Sequence, residues 1–291
     1  LPFSGCLVNI KLSFCMKDII NQFYNKGYIG PFKLLDIDAC NKILDERCIP
    51  PKKYTWYKSI HEKSTLVREI SLKPLILEKI KNILGNDILL WGSHFIHQKP
   101  SGQHAWHLDV EYGSWNGLTV WIGLKNLNEN TPLSIITKSH LINTAPKELE
   151  NTKLIDLNDD TSVLNEARKI DPECEIKEFR LKEGEFIIWS GRLWHKTSNT
   201  SKTARDSMIL QYCTTNNQVK IPKNYEYPDT KWSKKKPICF LVSGKDKFNK
   251  NTILSKSDIK SDNNFANKFK TKFIYRTKYK LFNFCREILN R

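Results

Sequence analysis

The 291-residue sequence contains no run of about 18 apolar residues, so no stretch of it reads as a membrane-spanning helix. It contains no Cys-x-x-Cys pair. Its eight cysteines (Cys6, Cys15, Cys40, Cys48, Cys174, Cys213, Cys239 and Cys285) are scattered singly. That scatter argues against a zinc cluster and against a disulfide scaffold, and it suits a reducing cytoplasm. Each cysteine reads as a small buried hydrophobe. No internal repeat is visible, which sets solenoids and propellers aside. The opening Leu1–Cys15 carries one lysine and lacks a charged segment followed by a long apolar run, so it reads poorly as a secretory leader. It is read as an upstream extension or vector remnant, with the functional start at Met16. Acidic residues are also scarce, 31 Asp+Glu against 47 Lys+Arg, for a net charge of +16. The imbalance is local: residues 218–291 hold 19 Lys+Arg and 6 Asp+Glu, whereas the first 217 residues hold 28 and 25. Inferences from charge to partner therefore concern the tail, and the rest of the chain is close to neutral.

A chain of this length can bury a substantial core. Helical spacing marks Met16–Gly27 (Ile19, Ile20, Phe23, Tyr24), a short Asp36–Asp45 segment, and Ser71–Leu84. In the last, Leu72, Leu75, Ile76, Ile80 and Ile83 form a stripe that Gly85 ends. Strand character then takes over in Ile88–Gln98, Trp106–Tyr112, Gly117–Leu124, Leu133–Thr137, Ile176–Leu181, Glu185–Trp189 and Ser207–Thr214. Asn143–Lys169 interrupts them as a polar, partly amphipathic excursion. Many short strands after a helical segment predict a mainly β fold, a sandwich or jelly roll flanked by helices. Beyond Ile221, prolines punctuate a basic loop, Ile238–Val242 is strand-like, and Phe265–Arg291 reads as a basic amphipathic helix. The expected organisation is an extension over 1–15, a jelly-roll domain with N-terminal helices over 16–217, and a basic C-terminal extension over 218–291.

The chemistry is expected at Trp106-His107-Leu108-Asp109. Side chains two apart on an extended strand share a face, so His107 and Asp109 point the same way. An imidazole and a carboxylate side by side supply two ligands for a divalent metal. His195 would complete a 2-His-1-carboxylate set, which leaves positions open for a co-substrate and O2. Ten residues later Arg205 opens a strand. Its guanidinium could grip a carboxylate bidentately. The dicarboxylate 2-oxoglutarate needs such a group for its C5 carboxylate, with a hydroxyl from Thr197 or Ser207. On its strand Gln98 shares a face with His94 and Ile96, where its amide could reach a bound carboxylate or a substrate; the alternative is an amide satisfied by backbone. His94 and His97 face opposite sides. His104 sits in the mouth loop as a candidate substrate contact, and Trp194 as a candidate cavity wall. His140 reads as a turn-orienting residue, and His61 carries no signal.

Together these residues resemble the phytanoyl-CoA dioxygenase-like family of Fe(II)/2-oxoglutarate oxygenases over roughly Met16–Thr215. The resemblance rests on His107-Leu108-Asp109, on Thr131-Pro132-Leu133-Ser134-Ile135-Ile136-Thr137-Lys138-Ser139-His140, on Gly184-Glu185-Phe186, and on His195 and Arg205. The middle element departs from the family's Gly-Pro-Leu…Pro-Gly-Ser-His pattern: Thr131 replaces the first Gly, and Thr137-Lys138 replaces the Pro-Gly. The resemblance implies a double-stranded β-helix of cupin-like type, Fe(II) held by His107, Asp109 and His195, 2-oxoglutarate as co-substrate near Arg205 and Gln98, and O2 as oxidant. It implies hydroxylation of an unactivated C–H bond with release of succinate and CO2. Halogenating relatives carry a small residue where Asp109 stands, so the carboxylate favours hydroxylation over halogenation.

The expected substrate is a small molecule or a lipid-linked or glycan compound, anionic if the basic tail helps to attract it. Peripheral contact of that tail with an anionic membrane surface is a further expectation, so the expected location is cytoplasmic, at the inner face of the membrane where the tail docks. No RNA- or DNA-binding motif is visible, so nucleic acid is not an expected partner. The alternative reading is a non-catalytic or 2-oxoglutarate-independent metal-binding jelly-roll protein. The three ligand residues together with Arg205 speak against it.

Overall fold

The structure, a computed structural model, describes residues 18–48, 55–110, 117–223 and 231–255. The extension expected over 1–15 and the basic helix expected over 265–291 lie outside the described residues.

Alternation of inward and outward side chains builds two sheets. The larger has seven strands in the order β1 (Tyr28–Lys33), β7 (Glu185–Ser190), β4 (Gly117–Lys125), β9 (Arg205–Thr214), β2 (Ile88–Gln98), β10 (Ile238–Ser243) and β11 (Thr252–Ile253). The smaller has four, in the order β3 (Gln103–His107), β8 (His195–Ser198), β5 (Leu133–Ile136) and β6 (Ile176–Phe179). All pairs are antiparallel except β10 with β11. This is the jelly roll that the strand pattern predicts.

One face of the large sheet is covered by four helices: α1 (residues 18–26), α2 (Ile37–Asp45), α3 (Thr65–Ser71) and α4 (Pro74–Leu84). Every second residue of the central strands (Leu118, Val120, Ile122; Phe186, Ile188; Met208, Leu210, Tyr212) packs there against Ile43, Val67, Ile70, Ile76 and Ile80. Asp36 caps α2 by accepting from the Ala39 N–H at 2.7 Å, and Ser64 caps α3 by accepting from Val67 at 3.0 Å. The single helix expected over Ser71–Leu84 is divided instead. Chain helicity stops at Ser71 and restarts with Pro74 at the first turn of α4, where the missing proline N–H costs nothing.

The intervening residues of the same strands, Trp121, Ile187, Trp189 and Ile209, face the small sheet and pack on Leu133, Ile135, Phe179 and Leu193. The small sheet's outer face is covered by α5 (Pro146–Asn151) and α6 (Asp160–Ile170), with Leu149, Val163 and Ala167 against Trp106, Ile136 and Trp194.

Two features position the site. First, β2 carries a bulge: Leu90 pairs with Tyr212 and Gly92 with Gln211, leaving Trp91 as the extra residue. Before the bulge Leu90 faces the helices. After it the phase flips, and His94, Ile96 and Gln98 pair with Ile209, Ser207 and Arg205 on the interior face. Second, the large sheet continues past residue 217, because β10 lies beside β2 with Phe240 opposite Leu90. The boundary expected at 217/218 therefore does not coincide with the edge of the sheet.

Candidate metal centre

His107 ends β3 and His195 begins β8, and the two are directly opposed in the β3–β8 register. Their ring centroids are 4.1 Å apart. Asp109 lies two residues beyond β3, in a turn and not on the strand. The N–H groups of Asp109 and Val110 both donate to the Gly191 carbonyl, at 2.9 and 3.1 Å, which ties this turn to the loop that enters β8. A Cβ on Gly191 would stand 2.5 Å from Val110 Cγ2 and 3.2 Å from the Gly117 carbonyl oxygen, so a larger residue would have to push this turn apart. The outcome is that one ligand atom each from His107, Asp109 and His195 lies within 4.8 Å of the others, a set that could hold a metal ion.

The protons are arranged for that role. Nδ1 of His107 is 2.8 Å from the Ala105 carbonyl, and Nδ1 of His195 is 2.9 Å from the Leu193 carbonyl. A carbonyl only accepts, so each Nδ1 carries the hydrogen and each Nε2 keeps its lone pair. Asp109 Oδ2 accepts from Thr119 Oγ1 at 2.6 Å and from the Trp189 indole N–H at 3.0 Å, which fixes the carboxylate plane. His195 Nε2 is 3.8 Å from that same oxygen. Burial, with the His195 ring next, pushes the His107 imidazole down to about 3; burial also lowers His195. At Asp109 burial opposes ionisation, but the fields of His195, Lys58 and His107 and the Thr119 hydrogen bond outweigh it and hold the carboxyl below its usual range. Two neutral imidazoles and one carboxylate are the protonation states that divalent iron requires of its ligands.

Beside the three lies a group without a match. Arg205 is completely buried, and none of its three guanidinium nitrogens has a hydrogen-bond partner among the described residues. Its guanidinium carbon stacks 5.3 Å from the Trp121 ring, and burial pushes its pKa down to about 10. Buried donors of this kind are almost always paired, and a planar fork is paired best by a carboxylate. The adjacent Ser207 hydroxyl and Gln98 Oε1 are also buried without partners. The Gln98 amide nitrogen is held by the Gly102 carbonyl (3.1 Å), the Thr197 carbonyl (3.2 Å) and Thr197 Oγ1 (3.3 Å). The two readings of Gln98 are therefore both present, its nitrogen on protein atoms and its oxygen unclaimed. This arrangement fits the distal carboxylate of a dicarboxylic acid chelated at the three ligands.

A cavity of about 640 Å3 opens over the ligands, in the range that receives small organic molecules. His104 lines it, its ring centroid 3.8 Å from that of His107. His94 lines it too, while His97 lies outside with Arg47 and Asp206. Trp194 does not line it: expected as a wall, it is fully buried on the other side of the small sheet, among the residues under α5 and α6. Strand alternation explains this, because His195 faces inward and its neighbour must face outward. The wall is formed instead by Trp56, Trp91, Trp121 and Trp189. Thr119 and Trp189, the partners of Asp109, carry no sequence signal beyond lying on the interior faces of β4 and β7. His140 bonds the Tyr24 carbonyl at 3.1 Å, away from the site. His61 is buried and ties the chain together through Ser93 Oγ (2.7 Å) and the Ile238 carbonyl (2.8 Å). No helix among the described residues is long and apolar enough to cross a membrane.

The sequence profile described as Phytanoyl-CoA dioxygenase (PhyH) matches residues 52–207, more than half of the chain. No curated protein matches. Among solved structures, the chain is similar to a non-heme monooxygenase, ThoJ in its apo form, at 17% identity and TM-score 0.59, covering 89% of this chain and 98% of that one. It is similar to CytC3 with Fe(II) and alpha-ketoglutarate at 22% identity and TM-score 0.56, over 81% of this chain and 91% of that one. The alpha-ketoglutarate-dependent epimerase SnoN from nogalamycin biosynthesis is similar at 15% identity and TM-score 0.53, over 70% and 84% of the two chains. These likenesses establish the shared fold.

Proposed function

We propose, since the chain belongs to the phytanoyl-CoA dioxygenase family, that it is an Fe(II)- and 2-oxoglutarate-dependent oxygenase that hydroxylates a C–H bond of a small-molecule substrate. The observation that carries this is the coexistence of the His107–Asp109–His195 cluster with the buried, unpartnered guanidinium of Arg205. The first could hold iron through two imidazole Nε2 atoms and a carboxylate. The second could hold the C5 carboxylate of 2-oxoglutarate, with Ser207 as the hydroxyl donor. Of the similar structures, CytC3 holds alpha-ketoglutarate and SnoN depends on it, and alpha-ketoglutarate is the same compound as 2-oxoglutarate.

Iron(II) so bound supplies the chemistry that couples oxidative decarboxylation of 2-oxoglutarate by O2, giving succinate and CO2, to oxidation of the substrate. The chain's own work is positioning. The Ala105 and Leu193 carbonyls fix the two imidazole planes, and Thr119 and Trp189 fix the Asp109 carboxylate. Trp121 and Ile209 keep the floor of the cavity apolar, which excludes water from a reactive centre. Asp109, a carboxylate where halogenating relatives carry a small residue, favours hydroxyl transfer over halogenation; it does not discriminate against epimerisation, the activity named for SnoN.

The test is succinate release by the full chain with Fe(II), 2-oxoglutarate and pooled candidate substrates, beside a His107→Ala variant. The expected result is binding of Fe(II) and 2-oxoglutarate together, with turnover that the variant lacks. A parent protein that binds neither would overturn the assignment.

A further inference from the structure

His94 lines the cavity from the interior face of β2, opposite Ile209. Further along that face Ile96 pairs with Ser207 and Gln98 with Arg205. His94 precedes Gln98 by four residues, about 13 Å along the strand at roughly 3.3 Å per residue. That exceeds the length of a five-carbon diacid. Under the oxygenase reading, on which this inference rests, a co-substrate with its C5 carboxylate on Arg205 leaves His94 to the substrate. Tyr57 meets the imidazole edge-on, with centroids 6.0 Å apart at 74°. Tyr57 also meets Trp56 edge-on at 5.4 Å, and Trp56 stacks on Trp91 at 6.1 Å and 19°. All four rings line the cavity, as one continuous aromatic wall. The imidazole in that wall has unused hydrogen-bonding capacity. Its Nδ1 is buried without a hydrogen-bond partner among the described residues, whereas the residue as a whole is only partly buried. The open edge of the ring is therefore the one that bears Nε2. Burial pushes the His94 pKa down to about 3, so the ring is neutral and carries one N–H. At His107 and His195 a backbone carbonyl draws that hydrogen to Nδ1. At His94 no acceptor faces Nδ1, and a buried N–H left unpaired is costly, so the hydrogen belongs on Nε2.

We propose that His94 is a specificity-determining residue: its Nε2–H donates a hydrogen bond to an oxygen of a ring-bearing substrate that packs along Tyr57, Trp56 and Trp91. The substrate class is an oxygenated ring compound, with a carbonyl, ether or hydroxyl oxygen as the acceptor. Apolar packing on the wall supplies affinity but no direction, since a ring can slide along it. One directional bond at the end of the wall fixes where the ring stops, and so which carbon is presented to the metal. A site that donates to a substrate oxygen also rejects the analogue without it, because its own donor would be left unpaired.

The test is nitrogen–proton NMR of the histidine-labelled full chain with 2-oxoglutarate, Zn(II) replacing iron so that nearby signals stay sharp. The His94 signals are those absent from His94→Phe and His94→Gln. They are expected to show the hydrogen on Nε2; a hydrogen on Nδ1 would overturn the donor assignment without any ligand. Titration then compares acetophenone, which can only accept, with ethylbenzene, which can do neither. The ratio of the two affinities is expected to fall about fivefold or more in His94→Phe, which keeps a ring, and to be regained in His94→Gln, whose amide N–H takes the place of Nε2–H. An unchanged ratio in His94→Phe would overturn the proposal, and the parent's tautomer decides it where that variant does not fold. Loss of 2-oxoglutarate affinity of tenfold or more in His94→Gln would assign the residue to the co-substrate and equally overturn it. A parent that shows the Nε2 hydrogen and responds to acetophenone, yet does not bind 2-oxoglutarate, would refute the oxygenase reading and leave the role of His94 standing.

Discussion

Arg205 is where stability and function should pull in opposite directions, and Arg205→Met separates them. In the free protein the guanidinium is buried without a hydrogen-bond partner among the described residues. Burial holds its pKa near 10 instead of the ordinary 12.5. At about 1.4 kcal/mol per tenfold, that difference means that keeping the cation buried costs about 3 kcal/mol. The sign follows from the direction. A lowered folded pKa penalises the charged form, so the cost is fully present at neutral pH and lifts only above about pH 10. Methionine removes the charge and keeps most of the packing against Trp121, but forfeits a cation–π contact worth up to about 2 kcal/mol. The net expectation is a free protein more stable by about 1 kcal/mol or more, a rise in Tm of about 2 °C or more. Affinity for 2-oxoglutarate should move the other way. Two charge-assisted hydrogen bonds at about 1.5–3 kcal/mol each imply a Kd weaker by roughly a hundredfold or more. Differential scanning fluorimetry of metal-loaded parent and variant, with and without 2-oxoglutarate, reads both effects. A variant less stable than the parent without 2-oxoglutarate would refute the claim that the guanidinium waits unpaired. Undiminished stabilisation by 2-oxoglutarate would place the C5 carboxylate somewhere other than Arg205.

Removing the two donors to Asp109 Oδ2, by Thr119→Val or Trp189→Phe, should weaken iron binding or turnover about 10–100-fold each without touching a ligand; metal titration checks it, and parental affinity in both variants would count against the positioning role. His61 gives a pH signature. Burial lowers it to about 4 from 6.5, so the stability of the folded state is whole above about pH 6.5 and is lost as pH falls towards 4, by at most about 3 kcal/mol. Urea midpoints at about pH 7.5 and about pH 5 should differ less in His61→Gln than in the parent; an identical pH slope would show that other groups carry the effect.

Much of the site was legible because its parts obey short-range rules. Strand β2 spans the same Ile88–Gln98 that the pattern predicts, and the opposite facing of His94 and His97 follows from alternation alone. The His107–Asp109 pairing was legible for a reason only partly right: Asp109 is held by the Gly191 carbonyl in a turn, not by continuation of β3. What escaped was decided by the rest of the molecule. His195 reads as a loop residue after Gly191-Arg192-Leu193-Trp194, yet begins a four-residue strand that exists because β3 and β5 flank it. Strand β1 escaped because Gly30-Pro31 reads as a break, whereas the strand passes through it with a register shift between Ile29 and Phe32. The bulge at Trp91 has no local signal beyond Gly92. A Cβ on Gly92 would stand 2.6 Å from Gln211 Oε1, a contact made by a residue on another strand. Trp194 failed as a wall because adjacency in sequence to a ligand was read as adjacency in space.

Among the described residues, strand β3 is the last of its sheet, with β8 as its one neighbour. Edge strands of this sort are among the first parts of a fold to open, and this one ends in His107, a candidate metal ligand whose cross-strand partner, His195, is another. An ion bound there would act as a cross-link, closing the end of the ladder that the missing neighbour leaves loose. Hydrogen exchange at the β3 amides should then report occupancy: quick exchange in the metal-free chain, slow exchange in the loaded one. Such a readout needs neither substrate nor turnover, so it reports whether the centre is filled or vacant independently of any reaction.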